Sequence, residues 1–162
     1  MRMSEGVEWA AHACAVLAAL PDGRALPGAR IAEYLGVPPA YLAKHLQALS
    51  RADIVVTGRG PAGGYRLARA PAAITLNDIA SAIEGREPAF RCQEVRQRGP
   101  VGASAQACKR PCGIARSFWA AEKAWRAALR EVTLVDLLAD AARGIDAERA
   151  RALGAWFESA AR

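Results

Sequence analysis

Apolar residues recur along most of this chain at helical spacing. From about Ser4 to Leu20 the run SEGVEWAAHACAVLAAL predicts one helix, with Ser4 as its N-cap and Pro21-Asp22-Gly23 as its stop. Successive helical residues turn by about 100°. Val7, Ala11, Cys14 and Ala18 therefore share one apolar face, and Trp9, Ala13, Val16 and Leu20 share an opposite one. A helix apolar on two sides is expected between two layers, such as its own domain and a second subunit. Glu5, Glu8 and His12 fill the polar stripe that is left.

The next segment is shorter in its periods. Ile31 to Tyr34 predict a short helix, Gly36-Val37-Pro38 a turn, and Pro39 the first turn of a second helix. In that second helix Leu42, Leu46 and Leu49 point inward, while Ala40, Lys44, Gln47 and Arg51 line the outward face. Helix, glycine-containing turn and helix with a basic, amide-bearing outer stripe is a helix-turn-helix pattern. Ile54–Thr57 and Tyr65–Ala68 then predict two short strands joined by GRGPAGG. The expected fold is mainly α with a small β-wing: a winged helix-turn-helix followed by a long dimerisation helix.

Thr75 and Asp78 form a capping box that opens TLNDIASAIEG, and Thr133 and Asp136 form another that opens TLVDLLADAA. Between Arg86 and Pro111 the composition is that of a loop, with prolines at 88, 100 and 111. A long helix is expected from Cys112-Gly113, with Ile114, Phe118, Ala121, Trp125 and Leu129 forming a stripe suited to packing subunits together. Ala150, Leu153, Phe157 and Ala160 mark a last amphipathic helix. Four regions are expected: a DNA-binding domain over 1–85, a cysteine-bearing loop over 86–112, the dimerisation helix and its successor over 113–143, and a helical extension over 144–162.

Composition sharpens this picture. With 162 residues, 52% of them apolar, the chain can bury a proper core. Its N-terminus carries Glu5, Glu8 and His12 through what would be the apolar stretch of a signal peptide, so a soluble, cytoplasmic protein without a membrane span is expected. The net charge is +6. Seven basic residues (Arg24, Arg30, Lys44, Arg51, Arg59, Arg66 and Arg69) against Glu33 and Asp53 concentrate most of it in the helix-turn-helix and wing. That concentration suits a polyanion. Lys44 suits phosphate and Gln47 the edge of adenine, and the helix would offer Ala40, Tyr41 and Arg51 beside them. His45, near the same face, is a further candidate phosphate donor, and Arg59 and Arg66 would carry the wing's contacts. No aromatic stacking platform for RNA is visible.

Of the four cysteines, Cys14 sits among alanines on the first helix and reads as core. Cys92, Cys108 and Cys112 lie in the Pro- and Gly-rich loop, where they do not read as core residues. Thiols stay reduced in the cytoplasm, so disulfides are not expected. Cys112 stands at a helix N-terminus beside Lys109 and Arg110, surroundings that favour thiolate. The residues themselves leave a metal cluster and a thiol redox switch equally open. Glu8 and His12, at i and i+4, are either a solvated pair or, if a second subunit brings its cysteine loop to them, half of a four-ligand site. A zinc enzyme built on Cys, His and Glu is set aside, because no substrate-binding glycine loop or nucleophile constellation accompanies them; the protein is not expected to be an enzyme.

PPAYLAKHLQALSRADIV followed by GRGPAGGYRLAR closely resembles the winged helix of the IscR, NsrR and RsrR family of bacterial regulators. The resemblance runs through ITLNDIASAIEG, the cysteine loop and the long helix, over about residues 3 to 140. It implies a homodimer with a swapped long helix, bound to double-stranded, pseudo-palindromic operators and acting as a repressor. It also implies an iron–sulfur cluster sensing redox state, nitric oxide or cluster supply. The cysteine spacing departs from the IscR and NsrR pattern: fifteen residues separate Cys92 from Cys108 and three separate Cys108 from Cys112. VEWAAHAC, FRCQEVRQRGP and CKRPCGIA look more like the RsrR branch. By that resemblance a [2Fe-2S] cluster would take Glu8 and His12 from one subunit and Cys108 and Cys112 from the other, with Cys92 in reserve. Trp9 matches the tryptophan that turns with the cluster's redox state. The alternative is the same regulator without a cluster, answering to a thiol switch, a small molecule or a protein.

Overall fold

The computed structural model describes residues 3–20, 24–58, 60 and 63–160. Helix α1 (Glu5–Ala18) is its centre, and α2 (Gly28–Leu35), α3 (Pro39–Arg51), the β1 (Val55–Gly58) and β2 (Gly64–Leu67) ribbon and α4 (Leu76–Glu84) pack around it. The long helix α5 (Gly113–Arg130) leaves this core, and α6 (Leu134–Arg143) returns to α1 before α7 (Ala147–Ala160) closes the chain. The stop expected at Pro21-Asp22-Gly23 lies outside the described residues.

The two apolar faces expected of α1 are one broad arc. Val7, Ala10, Ala13, Cys14, Val16 and Leu17 are buried, while Trp9, Ala11 and Ala18 flank them half-buried. The elements covering this arc belong to the same chain, so the layers around α1 need no second subunit. Ala10, Ala13 and Cys14 are small enough to let α3 and α4 come close. Burial pushes the Cys14 thiol up to about 12, so it packs as an inert apolar group. Ser4 holds the N-cap position, yet its hydroxyl does not cap: the hydroxyl (2.5 Å) and the backbone N–H (2.9 Å) both donate to the Glu84 carboxylate. That contact ties the start of α1 to the end of α4.

The helix-turn-helix forms for local reasons. Gly36 takes the left-handed conformation (φ 64°) that ends α2, and Pro39 opens α3. Leu42, Leu46 and Leu49 then fill the core between α3 and its neighbours. The wing pairs Val55 with Leu67 and Gly58 with Gly64, one residue later at β1 and one earlier at β2 than expected, because Ile54 and Ala68 are joined by a single hydrogen bond (3.0 Å). A side chain at Gly64 would run into the Leu26 carbonyl, since Leu26 bridges to Tyr65 beside it. Both expected capping boxes are present, and Leu134 N–H donates to the Ile74 carbonyl (3.0 Å), so α6 starts against the segment that leads into α4.

Candidate functional site

The surface expected to meet DNA is built by α3. Ala40, Lys44, Gln47 and Arg51 are all exposed on the side opposite the buried leucines. Tyr41 is 59% exposed, and the Lys44 ammonium lies 5.3 Å from its ring, which steadies the lysine along the helix surface. Arg66 is exposed on β2, and Arg59 lies outside the described residues. The charge excess divides into two kinds. Arg69 is structural: its guanidinium donates to the Asp53 carbonyl (3.1 Å) and the Ala73 carbonyl (3.0 Å), pinning the segment after the wing. Lys44, Arg51 and Arg66 have no such anchor among the described residues.

His45 stands apart from the outward stripe. Its half-buried ring lies over Gly6 of α1 and edge-on to Trp9, with centroids 5.9 Å apart and planes at 79°. This packing turns the imidazole towards α1. A Cβ on Gly6 would collide with the ring, which would have to move aside. The sequence carried a signal for this contact in the glycine of an otherwise continuous helix, but no way of naming its partner.

On the outer side of α1, Glu8 and His12 are exposed one turn apart, with Trp9 half-buried beside them. Cys92, Cys108 and Cys112 are free and half-buried. Cys112 is the N-cap of α5, its Sγ accepting the Ala115 N–H at 3.3 Å. The loop around these thiols is organised by a residue the sequence did not single out. Arg96 makes a two-pronged bond to Glu94 (2.6 and 2.8 Å) and donates to the Arg110 carbonyl (2.9 Å), between Cys108 and Cys112. Its bonds to Glu94, and then the nearby thiols, hold Arg96 more firmly protonated, and the same bonds lower the Glu94 pKa. Glu94 adopts a left-handed backbone (φ 47°) to make this possible.

Upstream, the linker is fastened to α5. Glu122 accepts the Ala89 N–H (2.9 Å) and pairs with Arg126 (2.8 Å), which also donates to Ser81. Trp119 donates to the Phe90 carbonyl (3.0 Å), and Phe90 stacks on Phe118. The i, i+4 spacing of Glu122 and Arg126 was readable as a pair; its hold on the linker was not. Ile114 (66%) and Phe118 (54%) nevertheless stay exposed on α5. Among the described residues of this chain, no three His, Cys, Asp or Glu side chains come together as metal ligands. Glu8 and His12 are thus not joined by the cysteines of their own chain.

The family model for Rrf2, described as an iron-dependent transcriptional regulator, matches residues 3–140. This chain belongs to the Rrf2 family. YwgB of Bacillus subtilis, by name an HTH-type transcriptional regulator, is 30% identical over 134 residues, covering 83% of this chain and 82% of YwgB. The solved structure of T. potens IscR superposes with a TM-score of 0.68 at 26% identity, covering 91% of this chain and 93% of IscR. CymR, the global cysteine regulator of B. subtilis, gives 0.66 at 24% identity over 86% of this chain and 97% of its own, and speaks for the fold alone. As an Rrf2-family member the protein is a DNA-binding helix-turn-helix transcriptional regulator and not an enzyme. No helix among the described residues is long and apolar enough to cross a membrane.

Proposed function

We propose that this Rrf2-family protein is a cytoplasmic, homodimeric repressor whose affinity for a pseudo-palindromic operator is set by a [2Fe-2S] cluster, in the manner of the RsrR branch. Glu8 and His12 of one subunit and Cys108 and Cys112 of the other would hold it, with Cys92 able to replace a thiol. The observation that carries this reading is the division of the donors. The Glu8–His12 pair is exposed on α1, and the thiols stand on a separate loop at the head of α5, where Ile114, Phe118 and Ala121 are exposed and would meet a second copy. The donors suit the group: two thiolates, an imidazole and a carboxylate, with the Ala115 N–H already directed at Cys112 Sγ.

A bound cluster would supply a one-electron change of charge beside α1. Glu8 and His12 would follow that change through their hold on it. Trp9, adjacent to Glu8, would transmit the motion to His45 and so to α3. On DNA, Lys44, Arg51 and Arg66 would meet phosphates, Ala40, Tyr41 and Gln47 base edges, and Arg59 the groove beneath the wing. The test is an anaerobic visible spectrum with iron and sulfide assays before and after dithionite. Charge-transfer bands that bleach on reduction, with about two irons and two sulfides per site, and their loss in Glu8→Ala and Cys108→Ala, support the proposal. Protein that stays colourless after reconstitution, or a monomer by sedimentation, refutes it. Trp9→Ala that leaves operator affinity equally redox-sensitive removes the relay.

A further inference from the structure

Helix α7 lies beyond the residues that match the family. It is nonetheless fastened to the first helix of the helix-turn-helix. Tyr34 of α2 meets Trp156 (centroids 4.7 Å) and Phe157 (6.2 Å), and the Arg30 guanidinium sits 5.6 Å from the Trp156 ring centre. Between this aromatic contact and α1, helix α7 borders an open cavity of about 480 Å³. That is within the roughly 300–1,000 Å³ of small-ligand sites. Its walls are apolar: Val16 of α1, Leu138 of α6, and Ile145, Leu153 and Phe157. His12 and Arg149 border it. The carboxylate at its rim, Asp140, is engaged by Arg143 at 2.5 Å. Among the described residues no carboxylate lies within ion-pair distance of the Arg149 guanidinium.

A cavity with apolar walls and one unpaired guanidinium has a definite chemical preference. The exposed Arg149 guanidinium offers a carboxylate a charge-assisted, two-pronged bond at the rim, and a phosphate's second charge would find no second arginine among the lining residues. We propose that this cavity binds a small monocarboxylic acid with an aryl or branched apolar body, its carboxylate on Arg149, and that the helix-turn-helix reads its occupancy through Tyr34. A ligand that prefers one setting of α7 against α2 changes DNA affinity, and DNA changes ligand affinity by the same factor. The site does not depend on the cluster, although His12 stands at both.

The experiment is calorimetric titration of the full-length protein with phenylacetate and isovalerate, with phenethylamine as the oppositely charged control. One of the acids should bind with sub-millimolar affinity and the amine should not. Arg149→Gln, at an exposed position, should weaken the acid by about tenfold or more. Leu153→Trp should fill the cavity and remove binding. The bound acid should shift affinity for a duplex selected by this protein from a random library. Failure of both acids to bind at millimolar concentration, equal binding of the amine, unchanged binding in Arg149→Gln, or binding that leaves DNA affinity untouched would each overturn the proposal. Iron content and the visible spectrum are separate readouts, so loss of the cluster reading leaves this test intact.

Discussion

Replacing Gly6 with alanine sets two effects of known sign against each other. In a helix interior alanine is favoured over glycine by about 0.8–1.0 kcal/mol, an upper bound for Gly6 in the first turn of α1, so propensity alone says that Gly6→Ala stabilises α1. The added Cβ, however, would be driven into the imidazole of His45, which is half-buried between α1 and α3 beside Trp9. Overpacking of that kind costs about 1–3 kcal/mol, and displacing the ring from Trp9 forfeits about 0.5–1.5 kcal/mol of aromatic contact. The clash wins. Gly6→Ala should therefore lower stability by about 0.5–4 kcal/mol, or about 1–16 °C in Tm for a chain of this size. In a His45→Ala background the obstacle is gone, and the same substitution should raise stability by up to about 1 kcal/mol. Urea unfolding of the four proteins of this double-mutant cycle, read by far-ultraviolet circular dichroism, checks the change of sign. A Gly6→Ala protein that is stabilised with His45 in place would refute the packing argument, and with it the mechanical link between α1 and the recognition helix.

Other outcomes follow from the same geometry. With its thiol pushed to about 12, Cys14 carries almost no thiolate at neutral pH. Native cluster-free protein should take up iodoacetamide at three cysteines and spare Cys14 until it is unfolded, which peptide mass mapping reads; early labelling of Cys14 would contradict its burial. The Glu84 pKa is lowered first by the Ser4 hydroxyl and then by its N–H. The stability this contributes is present above the unfolded value of 4.5 and is lost as pH falls through the lower folded value. Ser4→Ala should flatten the decline of stability across that window, and an unchanged pH profile would show that the bond is not made in solution. Lys44→Ala should weaken binding to all duplexes and lower the salt slope by about one. Gln47→Ala should instead relax preference at one base pair, worth about 1–3 kcal/mol. If both changed only the salt slope, α3 would not be reading bases.

The linear order of elements was legible because each is encoded locally. Leu42, Leu46 and Leu49 recur on one side of α3, Gly36 and Pro39 punctuate the turn, and the Thr75–Asp78 and Thr133–Asp136 boxes mark helix starts. Such signals act over a few residues and survive wherever the helix is placed. The exposed stripe of Lys44, Gln47 and Arg51 was readable for the same reason, as the complement of the buried leucines. The resemblance of residues 3–140 to a regulator family rested on these local patterns and holds at the level of the Rrf2 family.

Contacts between distant segments were decided only by the folded chain. Helical spacing put two apolar faces on α1, but four helices and the wing wrap a single arc of it, and a helical wheel has no knowledge of neighbours. His45 shares α3 with the outward stripe, yet Gly6, thirty-nine positions earlier, gives its ring a place to pack. Arg96 reads as one more loop cation until its guanidinium is seen to span Glu94 and the Arg110 carbonyl. Arg149 reads as a solvated charge on an amphipathic helix until Tyr34 and Trp156 bring α7 against α2 and leave it at the edge of an apolar cavity. Periodicity determines which side of an element is apolar. What that side meets depends on how all the elements satisfy their faces at once, and there the chemistry of this protein is assembled.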